Sequence, residues 1–117
     1  MAEGFANFYG GDVLRASSAG LAPVPSVVRP TVVVMLEKIV DVSGHVPQLY
    51  DPFEAALFDI VVNMSGFRLP GEPPKQLLEW VVNDPFRKPQ KVYRAVRDDI
   101  EQRVMQLILQ LRRKPKA

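Results

Sequence analysis

The chain is predicted to be an α/β domain built on a small, mostly parallel sheet. Three observations lead there. Residues 58–64 form a nearly continuous apolar run of the kind buried on both faces of a parallel sheet. Residues 92–111 carry apolar side chains at three- and four-residue steps, the period of a long amphipathic helix. Between and before them, apolar segments alternate as helix, strand, helix, short helix, strand, strand, helix. At 117 residues, with 47% apolar and 24% charged side chains, a single domain with one core is expected, residues 1–117, with no internal linker or repeat.

Taken in order, residues 2–9 read as a helix with Phe5, Phe8 and Tyr9 on one face and Gly10-Gly11 as its stop; it has no N-cap. Residues 14–20 are strand-like and end in small side chains, after which Pro23 and Pro25 suggest an extended linker. Ser26 or Arg29 precedes Pro30, a candidate first helical residue, and Val33, Val34, Leu36 and Ile39 supply an apolar stripe. The β-branched run from Thr31 lowers helix propensity, so this helix must rely on burial. Residues 41–48 are an irregular connection around His45, and Asp51-Pro52 opens a brief helix through Leu57. The apolar run at 58–64 stops at Ser65-Gly66, residues 70–74 are a loop by composition, and 76–82 read as a short strand leading into Asp84-Pro85. In the last helix Val92, Val96, Ile100, Val104, Leu107, Ile108 and Leu111 form the apolar face, Arg94, Arg97, Asp98, Glu101 and Arg112 occupy other faces, and Pro115 ends it. In an open sheet the ligand crevice lies beyond the strand carboxyl ends, where residues 18–20, 64–66 and Asp84 fall.

Composition narrows the chemistry. The absence of cysteine excludes a disulfide framework, a thiolate metal site and a cysteine nucleophile within these residues, and a single histidine excludes a histidine metal cluster. No metal and no cofactor is expected. The start lacks the basic and apolar regions of a secretion signal, and no apolar run approaches a membrane span, so a cytoplasmic protein with no membrane partner is expected. The net charge is only +2, much of it in the basic tail, residues 112–117. Such a tail complements the negative end of a helix dipole, and no nucleic-acid partner is expected from it.

The residue that stands out chemically is Asp84, in Trp80-Val81-Val82-Asn83-Asp84-Pro85-Phe86. An acidic residue fixed ahead of proline, at the end of a strand-like segment, suits a proton donor in a cleft; it equally suits a cap on the turn before Pro85.

From end to end, the chain resembles the low-molecular-weight protein tyrosine phosphatases and the arsenate reductases that share their fold. Met1-Ala2-Glu3-Gly4-Phe5 is similar to the first helix after the family's phosphate loop, and Ser18-Ala19-Gly20 to the close of its second strand. Asp41-Val42-Ser43-Gly44-His45 resembles the segment after the second helix, residues 58–64 the next strand, and Asp84-Pro85-Phe86 with residues 93–100 the acid loop and final helix. The resemblance implies a three-layer sandwich around a parallel sheet of strand order 2-1-3-4. It also implies that the inner first strand and its Cys-x5-Arg phosphate loop lie before Met1, which would then be an internal methionine. An unfilled inner position exposes backbone groups that each cost about 1–3 kcal/mol if buried without partners.

The same resemblance implies roles for individual residues. Asp84 matches the general acid, Ser18 and His45 match positions that hydrogen-bond around the phosphate loop, and Phe86 falls where an aromatic flanks the cleft. The activity implied is hydrolysis of phosphotyrosine or another aryl phosphate through a phosphocysteine, with a phosphorylated protein or small aryl phosphate as partner; the chain as given is expected to be inactive for want of its nucleophile. Arsenate reduction is the alternative, although the two further cysteines of thioredoxin-coupled relatives would lie near residues 65–78, where there are none. A non-catalytic module binding through exposed strand edges is the third reading. Ser65 departs from the acidic residue common after the strand methionine, and the connection from Met64 to Asp84 is shorter than in many relatives.

Overall fold

The computed structural model describes residues 1–21 and 27–113. The linker expected at Pro23 and Pro25, the candidate cap Ser26, and Lys114 to the end of the basic tail, with Pro115, lie outside the described residues. In chain order the elements are α1 (Ala2–Gly10), α2 (Arg29–Leu36), α3 (Pro52–Ala55), β1 (Val61–Asn63), β2 (Leu77–Glu79) and α4 (Gln90–Arg113). The domain is thus α/β with a small parallel sheet, as its sequence pattern predicts.

The core forms where α1 and α2 meet α4. At 24 residues α4 is about 36 Å long, and its buried positions Tyr93, Val96, Ile100, Val104 and Ile108 repeat at helical spacing. They close over Phe5, Met35 and Val40. Gly10 lets the end of α1 approach α4, since a Cβ there would lie 2.8 Å from both Cδ1 and Cγ1 of Ile108. Phe5 stacks on Tyr9 with ring centroids 5.9 Å apart. Phe8, expected on that face, is instead 55% exposed and meets only the edge of Tyr9.

The stripe expected on α2 is shifted. Val34 and Met35 are buried, whereas Leu36 and Ile39 are 51% and 80% exposed. The cause is the way α2 ends. Ile39 adopts φ 63°, Ile39 N–H donates to Leu36 O at 2.9 Å and Val40 N–H to Met35 O at 3.1 Å. This pair of bonds closes a helix on a left-handed residue. The chain reverses there, so Val40 returns to the core while Ile39 points to solvent. Arg97, assigned by its charge to a polar face, is buried with 7% exposure. It is tolerated because its guanidinium donates to Val34 O at 3.0 Å, to Glu37 at 2.6 Å and to Asp98 at 2.9 Å.

The strands are shorter than the apolar runs that predicted them. Only Val61–Asn63 of residues 58–64 is extended, pairing in parallel with Leu77–Glu79 in the register Val61↔Leu77, Val62↔Leu78 and Asn63↔Glu79. Val61 and Val62 are half-buried and Asn63 is the buried member, so burial on both faces does not hold. Phe58 belongs to the turn that continues α3, donating its N–H to Ala55 O. Asp51 caps α3 as expected, accepting from Phe53 N–H at 2.9 Å, but the helix stops at Ala55 and Leu57 is 80% exposed. Of residues 76–82 only Leu77–Glu79 forms strand, while Trp80 and Val82 pack on the core. Residues 14–20 pair only through one parallel bridge, Gly20↔Leu49; Ala16 is tied to the Asn7 amide of α1 by two bonds instead. Among the described residues no helix is long and apolar enough to cross a membrane.

Candidate functional site

Three elements converge on a polar cluster at the start of α1. Glu3 lies in the first turn of that helix, Ser18 in the extended segment after it, and His45 in the loop between α2 and α3. His45 Nδ1 lies 3.0 Å from Glu3 Oε2, and its Nε2 lies 3.3 Å from Ser18 Oγ. The Ser18 hydroxyl donates to Glu3 Oε1 at 3.2 Å. Donor counting defines what this triangle does. With both ring nitrogens protonated, Nδ1–H serves Glu3, Nε2–H serves Ser18 and the hydroxyl serves Glu3, so all three contacts are made at once; a neutral ring satisfies two. The cluster therefore holds the imidazole and the Ser18 hydroxyl against one carboxylate, that of Glu3.

The surrounding backbone holds each member in place. Gly4 allows α1 to sit against the loop, because a Cβ would come within 3.0 Å of Val42 and 3.1 Å of Val40 side chains. Asp41 accepts from Ser43 N–H at 2.9 Å, and its bonds to the Ser43 side chain and backbone hold its carboxyl below the usual range. His45 N–H donates to Val42 O at 3.1 Å. Gln48 donates to Ser17 Oγ and to Ser18 O, at 3.2 and 2.8 Å. A cavity of about 430 Å³ opens beside the cluster, with Glu3, Asn7, Asp41 and His45 among its polar walls. A second space of about 30 Å³, near the size of one water, lies between Glu3, Ser18, Val42 and His45.

Ser18 and His45, both singled out in the sequence, are thus brought together. Asp84 and Phe86 share a separate turn. Asp84 Oδ1 accepts from Phe86 N–H at 3.0 Å, so the turn-capping role weighed for it is realised, while its Oδ2 accepts no bond among the described residues. Lys88 N–H donates to Pro85 O at 2.8 Å and closes the turn. Phe86 is 49% exposed, with the Arg87 guanidinium 5.4 Å from its ring centroid. Beyond the carboxyl end of β1, Asn63 accepts from Ser65 N–H and Oγ and donates to Phe67 O at 2.7 Å, folding the 63–67 loop back on itself.

Glu3 and Asn63 were not singled out by sequence reasoning. The one signal for Glu3 was an acid in the first turn of a helix; the partners across 15 and 42 residues are set by packing. Among the described residues no group of three His, Cys, Asp or Glu could hold a metal ion.

No family model matches the chain. Over 116 residues, however, it is 34% identical to the glutaredoxin arsenate reductase of Synechocystis sp., a match that spans 95% of this chain and 87% of the relative. The chain belongs to the arsenate reductase family. The membership extends to three dimensions: an arsenate reductase solved in its phosphate binding state superposes with a TM-score of 0.81 at 29% identity, covering 94% of this chain and 86% of that one. A protein tyrosine phosphatase structure gives the same TM-score of 0.81 at 17% identity, over 98% and 88% of the two chains. At that identity it speaks for the fold alone. The family thus sits on the phosphatase-like fold that the order of motifs predicted.

Proposed function

We propose that this arsenate reductase family chain handles a tetrahedral oxyanion, arsenate in the first place, and supplies the acid and the supporting groups of its reduction. The observation that carries the reading is the end-to-end match to an arsenate reductase. It places arsenate reduction ahead of phosphotyrosine hydrolysis, reversing the order that the motifs alone suggested. In this reading Asp84 protonates the oxygen leaving arsenic, and its Oδ2 is the proton-carrying atom, since Oδ1 is engaged by Phe86 N–H. Ser18 and His45, with Glu3, position the backbone that faces the anion.

Reduction of As(V) to As(III) takes two electrons. In thiol chemistry a thiolate displaces one arsenate oxygen, which leaves as water with Asp84's proton. A second thiol then attacks the sulfur, and arsenic departs with the electron pair as a disulfide forms. These 117 residues hold no cysteine, so both thiols come from outside them. We further propose that the sheet takes the strand order 2-1-3-4, with an inner strand that carries the nucleophile loop. Supporting this, β1 pairs with β2 on one edge and with no strand among the described residues on the other. A cytoplasmic setting, where thiols stay reduced, suits the reaction.

The test is thiol-coupled arsenate reduction by the 117-residue chain and by a form extended upstream with a strand and a Cys-x5-Arg loop. No turnover by the first and arsenate reduction by the second are expected, with an Asp84→Asn change slowing the second about 10²–10⁴-fold. Hydrolysis of an aryl phosphate with no arsenate reduction would replace this reading with the phosphatase one, which the exposed Phe86 beside Asp84 favours as a rest for a substrate ring.

A further inference from the structure

The turn after Asp84 carries a strained and highly charged feature that the reaction above does not use. Lys88 N–H bonded to Pro85 O makes Phe86 and Arg87 the central residues of the turn. Arg87 has φ 63°, a conformation that glycine or asparagine adopts readily at this turn position and that a longer side chain resists. Its guanidinium lies over the exposed Phe86 ring. Arg87, Lys88 and Lys91 are all exposed, and none joins an ion pair among the described residues. By contrast Arg94, Arg97, Arg103 and Arg112 each pair with a carboxylate. The first turn of α4 has no acidic residue, so these cations stand at the positive end of the helix dipole, where like charge is unfavourable. Backbone conformation and the helix dipole both oppose Arg87, with the contact to the Phe86 ring as the counterweight, so the stability of the fold gives little reason for it.

We propose that Arg87 is an anion-recruiting residue for the oxyanion reaction, a guanidinium beside the Phe86 ring that draws a doubly charged tetrahedral anion toward Asp84. The inference rests on the proposed function. Its physical content is threefold. The guanidinium sits 5.4 Å from the Phe86 ring centroid and joins no ion pair among the described residues, so its N–H groups are available to pair with an oxyanion. Lys88 and Lys91 add to the field that draws a dianion from solution, an effect that salt screens. Arg87 lies three residues beyond the proposed acid, so the attraction acts on the Asp84 side of the site. Arsenate and phosphate share this chemistry, and both are recruited.

The experiment titrates arsenate and, separately, inorganic phosphate into the 117-residue chain, its Arg87→Gly and Arg87→Lys forms, at low and at physiological salt. Affinity is read by NMR shifts, and melting temperature is recorded for each protein. Expected results are that Arg87→Gly weakens both anions about tenfold and flattens the salt dependence, that Arg87→Lys falls between, and that Arg87→Gly melts higher because strain is relieved. A wild-type chain that binds the anions and an Arg87→Gly form that binds them equally well would overturn this inference and leave the function standing. A lower melting temperature for Arg87→Gly, with unchanged binding, would make Arg87 a structural staple of the turn and overturn it too. A wild-type chain that binds neither anion counts against the inference, whereas the function is judged by turnover of the extended form. Reduction of arsenate by that form with the same KM for wild type and Arg87→Gly would overturn the inference alone.

Discussion

Glu37 is the side chain on which α2 and α4 are most plainly fastened. It accepts from Arg94 at 2.8, 3.0 and 3.1 Å and from the buried Arg97 at 2.6 Å. Bonds first to Arg94 and then to Arg97 lower its pKa from 4.5 to about 2. The sign follows from linkage: a carboxyl whose folded pKa is depressed contributes stability that is fully present above 4.5 and is lost as pH falls toward about 2. Circular dichroism melts of Glu37→Gln against wild type are therefore expected to differ at neutral pH, the variant melting lower, and to converge as pH approaches 2. Nothing in the sequence marks this pair, because residues 37 and 97 are joined only through the fold. A charge at position 97 reads as solvent-facing until α2 supplies Val34 O and Glu37 as partners.

At the scale of elements, helices were legible and strands only partly. The period of α4 named Val96, Ile100, Val104 and Ile108 as core, and they are, because a stripe at helical spacing has one face to bury. Tyr93 was missed by one position. The two strands shrank to three residues each, since apolar character alone does not decide whether Phe58 or Val81 pairs or turns; both are exposed. The junction of α1 with α4 offers a sharp test. Replacing Gly10 by Ala raises helix propensity by about 1 kcal/mol, yet the new Cβ would meet Ile108 at 2.8 Å. The clash is expected to prevail, with a loss of about 1–3 kcal/mol in urea unfolding. Trimming the opposing side chain in the Gly10→Ala, Ile108→Val double variant should return part of that loss, a coupling that a double-mutant cycle isolates.

Across the whole molecule, burial is uneven. The core lies between α1, α2 and α4, while the two-stranded sheet fully buries Asn63 alone and has exposed neighbours such as Phe67 and Val81, 71% and 87% accessible. Native-state hydrogen exchange should accordingly find the amides of Val96, Ile100 and Val104 the slowest, and those of Val61 and Trp80, bonded to Gln76 O and Asn63 O across the strand pair, faster by the difference between global and local opening. Equal protection of helix and sheet would show that the strands share the cooperative core. The same unevenness frames the site: Ser18, His45 and Glu3 rest against the well-packed start of α1, whereas Asp84, Phe86 and Arg87 stand on an exposed turn.

By itself the sequence determined the α/β class, the long final helix and the absence of a thiol, and it marked Asp84 by its place before Pro85, because periodicity, composition and turn chemistry are local properties; Ser18, His45 and Phe86 were candidates only through the resemblance to a family. Only the tertiary structure decided that Glu3 completes the Ser18–His45 cluster, that Arg97 is buried, that Ile39 reverses the chain and that Arg87 lies on Phe86. Each of those depends on which surfaces meet across the fold, and packing distances between distant segments are not written in any one stretch of residues.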